Sequence, residues 1–223
     1  QGASILSEVV PDALTRLPLN LRRRLQVTQQ CRAEDLETVR KTYADHQIPA
    51  QLATYLEDFP ERLGWSHLVI GRAGASTIAE LTCAGRPAIL IPLPSAMDNH
   101  QAFNVSEMVK AGGARAIKQS SFTPVELAKQ IQKMALIPET LENAARAAKS
   151  CGRPDAALLV QVRAWGRHQL TCAVADGNRH CAAMHPLEQA LALQVFDQPV
   201  QRIGHVRVPH VPGVGPAPKH GAV

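Results

Sequence analysis

The sequence predicts an α/β protein built on a doubly wound, Rossmann-like parallel sheet. From residue 1 to about residue 163, short apolar runs alternate with stretches of helical periodicity. One apolar run, Ala88-Ile-Leu-Ile-Pro-Leu93, is continuous, which is typical of a strand buried on both faces of a parallel sheet. Because parallel strands need crossover connections, the alternation also implies right-handed strand–helix–strand units.

Each element is assigned from its local pattern. Strands are predicted at residues 25–29, 50–56, 67–70, 88–93 and 114–117. Helices are predicted at residues 33–43, 59–65, 76–84 and 101–111, and from Pro124 onward. The last of these begins with a capping box, Thr123 to Glu126, and its buried face is predicted to hold Val125, Ala128, Ile131 and Met134 or Ala135.

The two ends of the chain depart from this pattern. A helical pattern follows Gln1-Gly2-Ala3-Ser4 directly, whereas a doubly wound domain usually starts with a strand, often a central one. The first strand of the sheet is therefore expected to be missing. After about Trp165 the composition changes, and residues 199–223 are rich in Pro, Gly, Val and His. We therefore expect a domain at residues 1–163 and a disordered tail at residues 164–223.

Composition limits the protein class. The chain has 223 residues, 45% hydrophobic and only 4% aromatic, so its core must consist mainly of aliphatic side chains. It has no apolar run of about 20 residues and no secretory signal at its start. The five cysteines are scattered without CxxC spacing, which indicates reduced thiols in a cytoplasmic protein.

Two site types are not expected. In the tail, the spacing of Cys172, His180, Cys181 and His185 matches no common zinc site, so no metal is predicted. The net charge is only +5, and the basic residues of the tail are not interleaved with aromatic ones. Nucleic-acid binding is therefore not predicted.

The stretch from His67 to Glu80 is typical of a phosphate-binding edge. It predicts a strand, a turn of small residues around Gly74, and a helix that carries Glu80 in its first turns. The spacing leaves alternatives open, since Thr77 and Glu80 could form a capping box and Gly74 could be an ordinary turn residue. Arg72 is interpreted as a solvated turn charge in preference to a phosphate ligand, and Asp58 as the cap of the helix at 59–65.

Five motifs together resemble the MurG family. They are Gln1-Gly-Ala3, Tyr55-Leu-Glu-Asp-Phe59, Gly71-Arg-Ala-Gly-Ala-Ser-Thr-Ile-Ala-Glu-Leu81, Ala84-Gly-Arg-Pro-Ala-Ile-Leu-Ile-Pro92 and Asp98-Asn-His-Gln-Ala-Phe-Asn104. The resemblance covers residues 1–163 and corresponds to the C-terminal, donor-binding half of a two-domain GT-B glycosyltransferase. It implies that the N-terminal acceptor domain, and the first strand with its glycine-rich loop, are absent.

The resemblance also implies a set of contacts to UDP-GlcNAc. The backbone near Leu56 would contact the uracil, and Glu80 would accept hydrogen bonds from the ribose hydroxyls. The implied contacts to the diphosphate and sugar are Ala73, Gly74, Ala75, Ser76 and Thr77. His100 and Gln101 would contact the GlcNAc hydroxyls. The family's candidate catalytic base belongs to the absent domain, so no catalytic residue is assigned.

The implied activity is that of an inverting hexosyltransferase of peptidoglycan synthesis, and hence of cell-wall biogenesis, cell shape and division. It would transfer GlcNAc from UDP-GlcNAc to a lipid-linked N-acetylmuramyl-pentapeptide, converting lipid I to lipid II. No cofactor is implied, and the absence of an Asp-x-Asp motif fits metal-independent donor binding. The family acts at the cytoplasmic face of the inner membrane, with peripheral contact made largely by the absent half.

Two other functions compete with this expectation. Because catalysis needs an acceptor site, this chain alone is expected to be inactive, and a sheet that lacks a strand is expected to be poorly stable. The chain could then be a non-catalytic UDP-sugar-binding fragment. Another GT-B enzyme, such as a UDP-GlcNAc epimerase, would share the nucleotide site but not all five motifs.

Overall fold

A computed structural model describes residues 4–94, 100–153 and 191–196, and it confirms the parallel α/β fold. The helices are α1 (Ser4–Thr15), α2 (Leu19–Arg22), α3 (Leu36–Asp45), α4 (Phe59–Trp65), α5 (Ala75–Ala84), α6 (His100–Ala111), α7 (Pro124–Ala135) and α8 (Pro138–Ser150). The strands are β1 (Leu25–Gln30), β2 (Ala50–Ala53), β3 (Leu68–Arg72), β4 (Ala88–Ile91), β5 (Ala114–Ala116) and β6 (Leu191–Phe196).

The strands form one sheet in the order β2-β1-β6-β3-β4-β5, and every pair is parallel. The carboxyl ends of all six strands therefore lie at the same edge. In open sheets of this kind, ligands bind outside that edge, near the point where the strand order reverses. Here the order reverses about β6, which separates β1 from β3.

Two hydrophobic cores cover the two faces of the sheet. One face packs against α1, α3 and α7, with buried side chains such as Leu14, Tyr43 and Ile131. The other face packs against α4, α5, α6 and α8, with Leu63, Leu81 and Met108 buried. In β3 and β4 every residue is buried, as expected of strands covered by helices on both sides.

Local signals set several helix boundaries as the sequence predicts. The Thr123 hydroxyl accepts a hydrogen bond from the Glu126 amide at 3.2 Å, which caps α7. Gly85 ends α5 with a left-handed φ of 64°, a conformation that glycine adopts without steric cost. The expected buried face of α7 is wrong at one position, because Val125 is half exposed and Leu127 is buried instead.

Strand β6 differs from one expectation about the C-terminal part of the chain. Residues 191–196 were expected to belong to a disordered tail, yet they form a strand between β1 and β3. Leu193 is paired with Val27 on one side and Leu68 on the other. β6 therefore lies at the centre of the sheet, and the first element that the structure describes is the helix α1, as the sequence predicts. The physical reason is that the apolar side chains of Leu193 and Val195 are removed from water into the core beside α1. The rest of the predicted tail lies outside the described residues.

Candidate functional site at the carboxyl edge of the sheet

The N-terminus of α5 faces the carboxyl edge with unused backbone donors. β3 ends at Arg72, Ala73 is buried, and Gly74 is the N-cap residue of α5. Gly74 has no side chain with which to cap this helix. The first N–H groups of a helix have no acceptor within the helix, so those of the exposed residues Ala75 and Ser76 are available to a ligand, whereas Thr77 is buried. Together with the helix dipole, they form a site suited to an anion.

The Glu80 carboxylate has a hydrogen-bond acceptor with no donor among the described residues. The capping box that the spacing left open is absent, because Gly74 is the N-cap and Thr77 is a buried residue inside the helix. The Glu80 Oε2 atom is buried and has no hydrogen-bond partner among the described residues. Burial raises the pKa of the Glu80 carboxyl group above its usual value. A ligand hydroxyl that donated a hydrogen bond would stabilise the ionised form.

The start of α6 brings a further polar group to the same edge. The Gln101 Oε1 atom accepts a hydrogen bond from the Leu93 amide at 2.8 Å. This contact ties α6 to the segment that leaves β4, and it leaves the two amide hydrogens of Gln101 as possible donors. His100 is the first residue of α6. The preceding motif residues, Asp98 and Asn99, lie outside the described residues.

Leu56 belongs to the loop that joins β2 to α4. Its side chain is buried with Phe59 and Leu63, so the loop is anchored by an apolar contact. Asp58 was expected to cap α4, but its side chain makes no capping hydrogen bond. Asp58 Oδ1 instead accepts a hydrogen bond from Arg62 Nε at 2.6 Å, and this bond lowers the pKa of the Asp58 carboxyl group.

Arg72 corrects the interpretation of a solvated turn charge. Its side chain is only 6% exposed, and its Nη1 atom donates to the Ile91 carbonyl and to Gln119 Oε1 at 3.3 and 2.9 Å. The guanidinium group thereby joins the carboxyl ends of β3 and β4 to the segment after β5. Sequence reasoning missed this positioning role, for which the only signal was a charged residue directly after an apolar strand.

The fold brings most of the predicted site residues to one edge of the sheet. This edge is formed by the carboxyl ends of β2, β3 and β4. The residues that lie at it or directly behind it are Leu56 in the loop after β2, Ala73 to Ala75 and Glu80 after β3, and Gln101 after β4. Ser76 is exposed, whereas Thr77 is 1% exposed. Ser76 is therefore more accessible to a ligand than Thr77 is.

The described ranges contain neither a membrane-spanning helix nor a cluster of metal-binding side chains. None of the helices in these ranges has the length and apolar character needed to cross a membrane. Within the same ranges, no three His, Cys, Asp or Glu side chains are grouped so that they could hold a metal ion. The histidines and cysteines of the predicted tail lie outside these ranges.

Comparison with known proteins identifies the domain. Residues 1–160 match the family model described as "Glycosyltransferase family 28 C-terminal domain". The UDP-N-acetylglucosamine--N-acetylmuramyl-(pentapeptide) pyrophosphoryl-undecaprenol N-acetylglucosamine transferases of Zymomonas mobilis and Novosphingobium aromaticivorans are each 70% identical over 156 residues. These matches cover 70% of this chain and 40% of each relative. The chain thus spans well under half the length of these relatives.

A solved structure agrees with the family match. The crystal structure of Acinetobacter baumannii MurG superposes with a TM-score of 0.64 at 32% identity, covering 71% of this chain and 45% of that chain. The resemblance drawn from the five motifs is confirmed. The chain therefore belongs to glycosyltransferase family 28 and corresponds to the C-terminal domain of its MurG members.

Proposed function

We propose that this chain is the donor-binding half of an inverting hexosyltransferase that transfers GlcNAc from UDP-GlcNAc to a lipid-linked N-acetylmuramyl-pentapeptide. The 70% identity to transferases named for this reaction supports the proposal. The single structural observation that carries it is Glu80, a buried acceptor without a donor, one and a half turns into a helix whose N-terminus is uncapped. A nucleotide sugar supplies both missing partners, a diphosphate and ribose hydroxyls.

The proposed chemistry follows from the charges. Transfer releases UDP, so the reaction is accelerated by groups that stabilise the negative charge developing on the diphosphate. The backbone N–H groups of Ala75 and Ser76 and the dipole of α5 do this in our proposal. Gln101, held by the Leu93 amide, orients the sugar together with His100 so that the acceptor hydroxyl attacks the anomeric carbon in line. The base that deprotonates this hydroxyl is assigned to no residue of this chain.

The proposed location follows from the acceptor. A lipid-linked acceptor places the reaction at the cytoplasmic face of the inner membrane, with peripheral contact. We propose that this chain alone does not turn over, because an acceptor site is needed across from the donor. A UDP-sugar-binding module without activity is the second candidate, and it is favoured by the 40% coverage of the relatives.

Calorimetric titration of UDP-GlcNAc into the full chain tests donor binding. Glu80→Gln keeps the size of the side chain but removes the charged acceptor, so we expect at least fivefold weaker binding, the equivalent of about 1 kcal/mol. Glu142→Gln is the matched control, since Glu142 is exposed on α8. Equal affinity for all three proteins would exclude the role of Glu80, and absence of binding by the folded chain would exclude a working donor site.

A transfer assay separates the two candidate functions. The acceptor lipid and UDP-GlcNAc are supplied to this chain alone and to a full-length relative as a positive control. GlcNAc transfer by this chain would contradict its proposed inactivity. Donor binding without transfer is the result that we expect.

A further inference from the structure

A cavity lies over β1 and β2 and extends to the amino ends of the strands. It has a volume of about 950 Å³ and is bounded by the residues that precede three strands, Arg24 before β1, Pro49 before β2 and Ser66 before β3. It therefore opens at the amino ends of the strands. None of its lining residues is a candidate donor-site residue, so the two sites are made of different residues. Its volume is in the range of small-molecule sites.

The cavity has an excess of positive charge. Its lining includes Arg23, Arg24 and Arg62, but only one acidic residue, Glu61. Arg62 is already held, because its guanidinium group bonds to Asp58 Oδ1 and to Gln51 Oε1, each at 2.6 Å. Arg23 and Arg24 make no ion pair with any carboxylate that the structure describes.

Arg24 lacks a partner that its environment requires. Its Nε atom is buried from solvent and has no hydrogen-bond acceptor in the described part of the chain. A buried donor without a partner costs about 1 to 3 kcal/mol, and more when the group is charged. Buried donors usually have a partner, and an anion bound beside Arg24 would supply one. A phosphate group fits best, because its oxygens accept two parallel hydrogen bonds from a guanidinium group.

The remaining walls suit a ligand that is only partly polar. Gln26, Thr28 and Gln51 provide a polar floor on the faces of β1 and β2. Trp65, at the end of α4, lies at the wall and is 47% exposed. Outside the cavity, Leu19 lies one helical turn before Arg23 and is also half exposed. Exposed apolar side chains beside arginines are typical of sites that take a phosphate joined to an apolar group.

We propose that this cavity is a second binding site, which takes a phosphate-bearing ligand through Arg23 and Arg24 and packs its apolar part on Trp65. The phosphate comes from the headgroup of an anionic phospholipid or from a soluble phosphate compound. The site does not depend on the proposed donor site, since the two share no residue.

Trp65 provides a local reporter for the test. The chain has two tryptophans, so Trp165→Phe leaves Trp65 as the only indole. This full-length protein is titrated with vesicles of phosphatidylcholine that contain phosphatidylglycerol, with vesicles of phosphatidylcholine alone, and with inorganic pyrophosphate. A response to the anionic vesicles only assigns the ligand as a lipid headgroup, and a response to pyrophosphate assigns a soluble phosphate.

Variants decide whether the arginines bind the ligand. We expect Arg23→Gln with Arg24→Gln to weaken the response at least tenfold, and Arg23→Gln alone, at an exposed position, to weaken it severalfold. Lys129→Gln with Lys133→Gln removes the same charge from the exposed side of α7 and should change it less than twofold. Glu80→Gln should leave it unchanged, which separates this site from the donor site. No response to any phosphate-bearing probe, or equal responses of the arginine and lysine variants, would overturn the proposal.

Discussion

The two halves of the sheet that flank β6 are buried to different extents. In the half formed by β3, β4 and β5, the first two strands are buried at every position and helices cover both faces. In the half formed by β1 and β2, buried positions alternate with partly or fully exposed ones along β1, and one face carries Gln26, Thr28 and Gln51. A continuous apolar run therefore indicates a strand that is buried on both faces, and an alternating run indicates a strand that is buried on one face.

Strand β6 is the only link between these halves within the described part of the sheet. It pairs with β1 on one side and β3 on the other, and β1 and β3 do not pair with each other. The joining of both halves into one hydrogen-bonded sheet consequently depends on six residues that lie far from their partners along the chain.

The largest expected effect comes from a charge placed in this link. Val195 is fully buried, so Val195→Asp buries a carboxylate among aliphatic side chains, and we expect a loss of about 4 kcal/mol or more in the free energy of unfolding. Urea unfolding followed by circular dichroism measures it. Val125→Asp is the control, since Val125 is half exposed in the first turn of α7 and the change should be within about 0.5 kcal/mol. Equal stability of both variants would mean that β6 does not join the halves.

A smaller effect is expected from overpacking in the doubly covered half. A Cβ atom on Gly113 would lie 2.6 Å from the backbone N and Cα atoms of Ala148, so α8 must move to admit it. We expect Gly113→Ala to cost about 1 to 3 kcal/mol in the same unfolding experiment. A Cβ atom on Gly64 meets nothing within 4 Å, so Gly64→Ala should stabilise α4 by about 0.5 to 1 kcal/mol. If both Gly113→Ala and Gly64→Ala lowered the free energy of unfolding, the loss would be due to backbone conformation and not to packing.

In the half formed by β1 and β2, we expect the loss of a buried hydrogen bond to lower stability. The Tyr43 hydroxyl donates to Gln29 Oε1 at 2.6 Å beneath β1. Tyr43→Phe leaves that buried acceptor unpaired, and the expected cost is about 1 to 2 kcal/mol by thermal unfolding. Tyr55→Phe, at a mostly exposed residue, should cost nothing measurable.

The same pair gives a pH test. Burial raises the pKa of the Tyr43 hydroxyl, so the unfolded chain loses this proton first and stability falls as the pH rises above about 10. We expect Tyr43→Phe to flatten part of that decline. A wild-type decline that the substitution leaves unchanged would contradict the burial of Tyr43.

The smallest expected effect concerns the carboxyl edge between the halves. Because the pKa of Glu80 is raised in the folded protein, its contribution to stability is present below its ordinary pKa and is lost as the pH rises. Ligand hydroxyls favour the ionised form, so the affinity for UDP-GlcNAc should instead fall, by about fivefold, as the pH is lowered through this pKa. Calorimetric titrations of UDP-GlcNAc at several pH values check this. If the affinity of Glu80→Gln depended on pH in the same way, the pH dependence would belong to another group.

The elements that the sequence predicts are those specified by residues near them in the chain. The strand β4, the helix α5 and the cap at Thr123 were predicted because each is specified by neighbouring residues. Strand β6 was not predicted, because its partners Val27 and Leu68 lie more than a hundred positions away and its flanks have a loop-like composition. In the site, the turn at Gly74 was predicted, whereas the burial of Arg72 depends on Gln119, which local patterns do not bring near.

The central position of β6 has a consequence for synthesis. Because chains emerge from the ribosome with the N-terminal part first, the other five strands are made before the strand that separates β1 from β3. Until it arrives, the edges of β1 and β3 that pair with β6 have unpaired backbone groups. Such edges are the usual starting points of aggregation, so the nascent chain passes through a stage in which chaperone binding or fast translation of residues 154–196 would protect it.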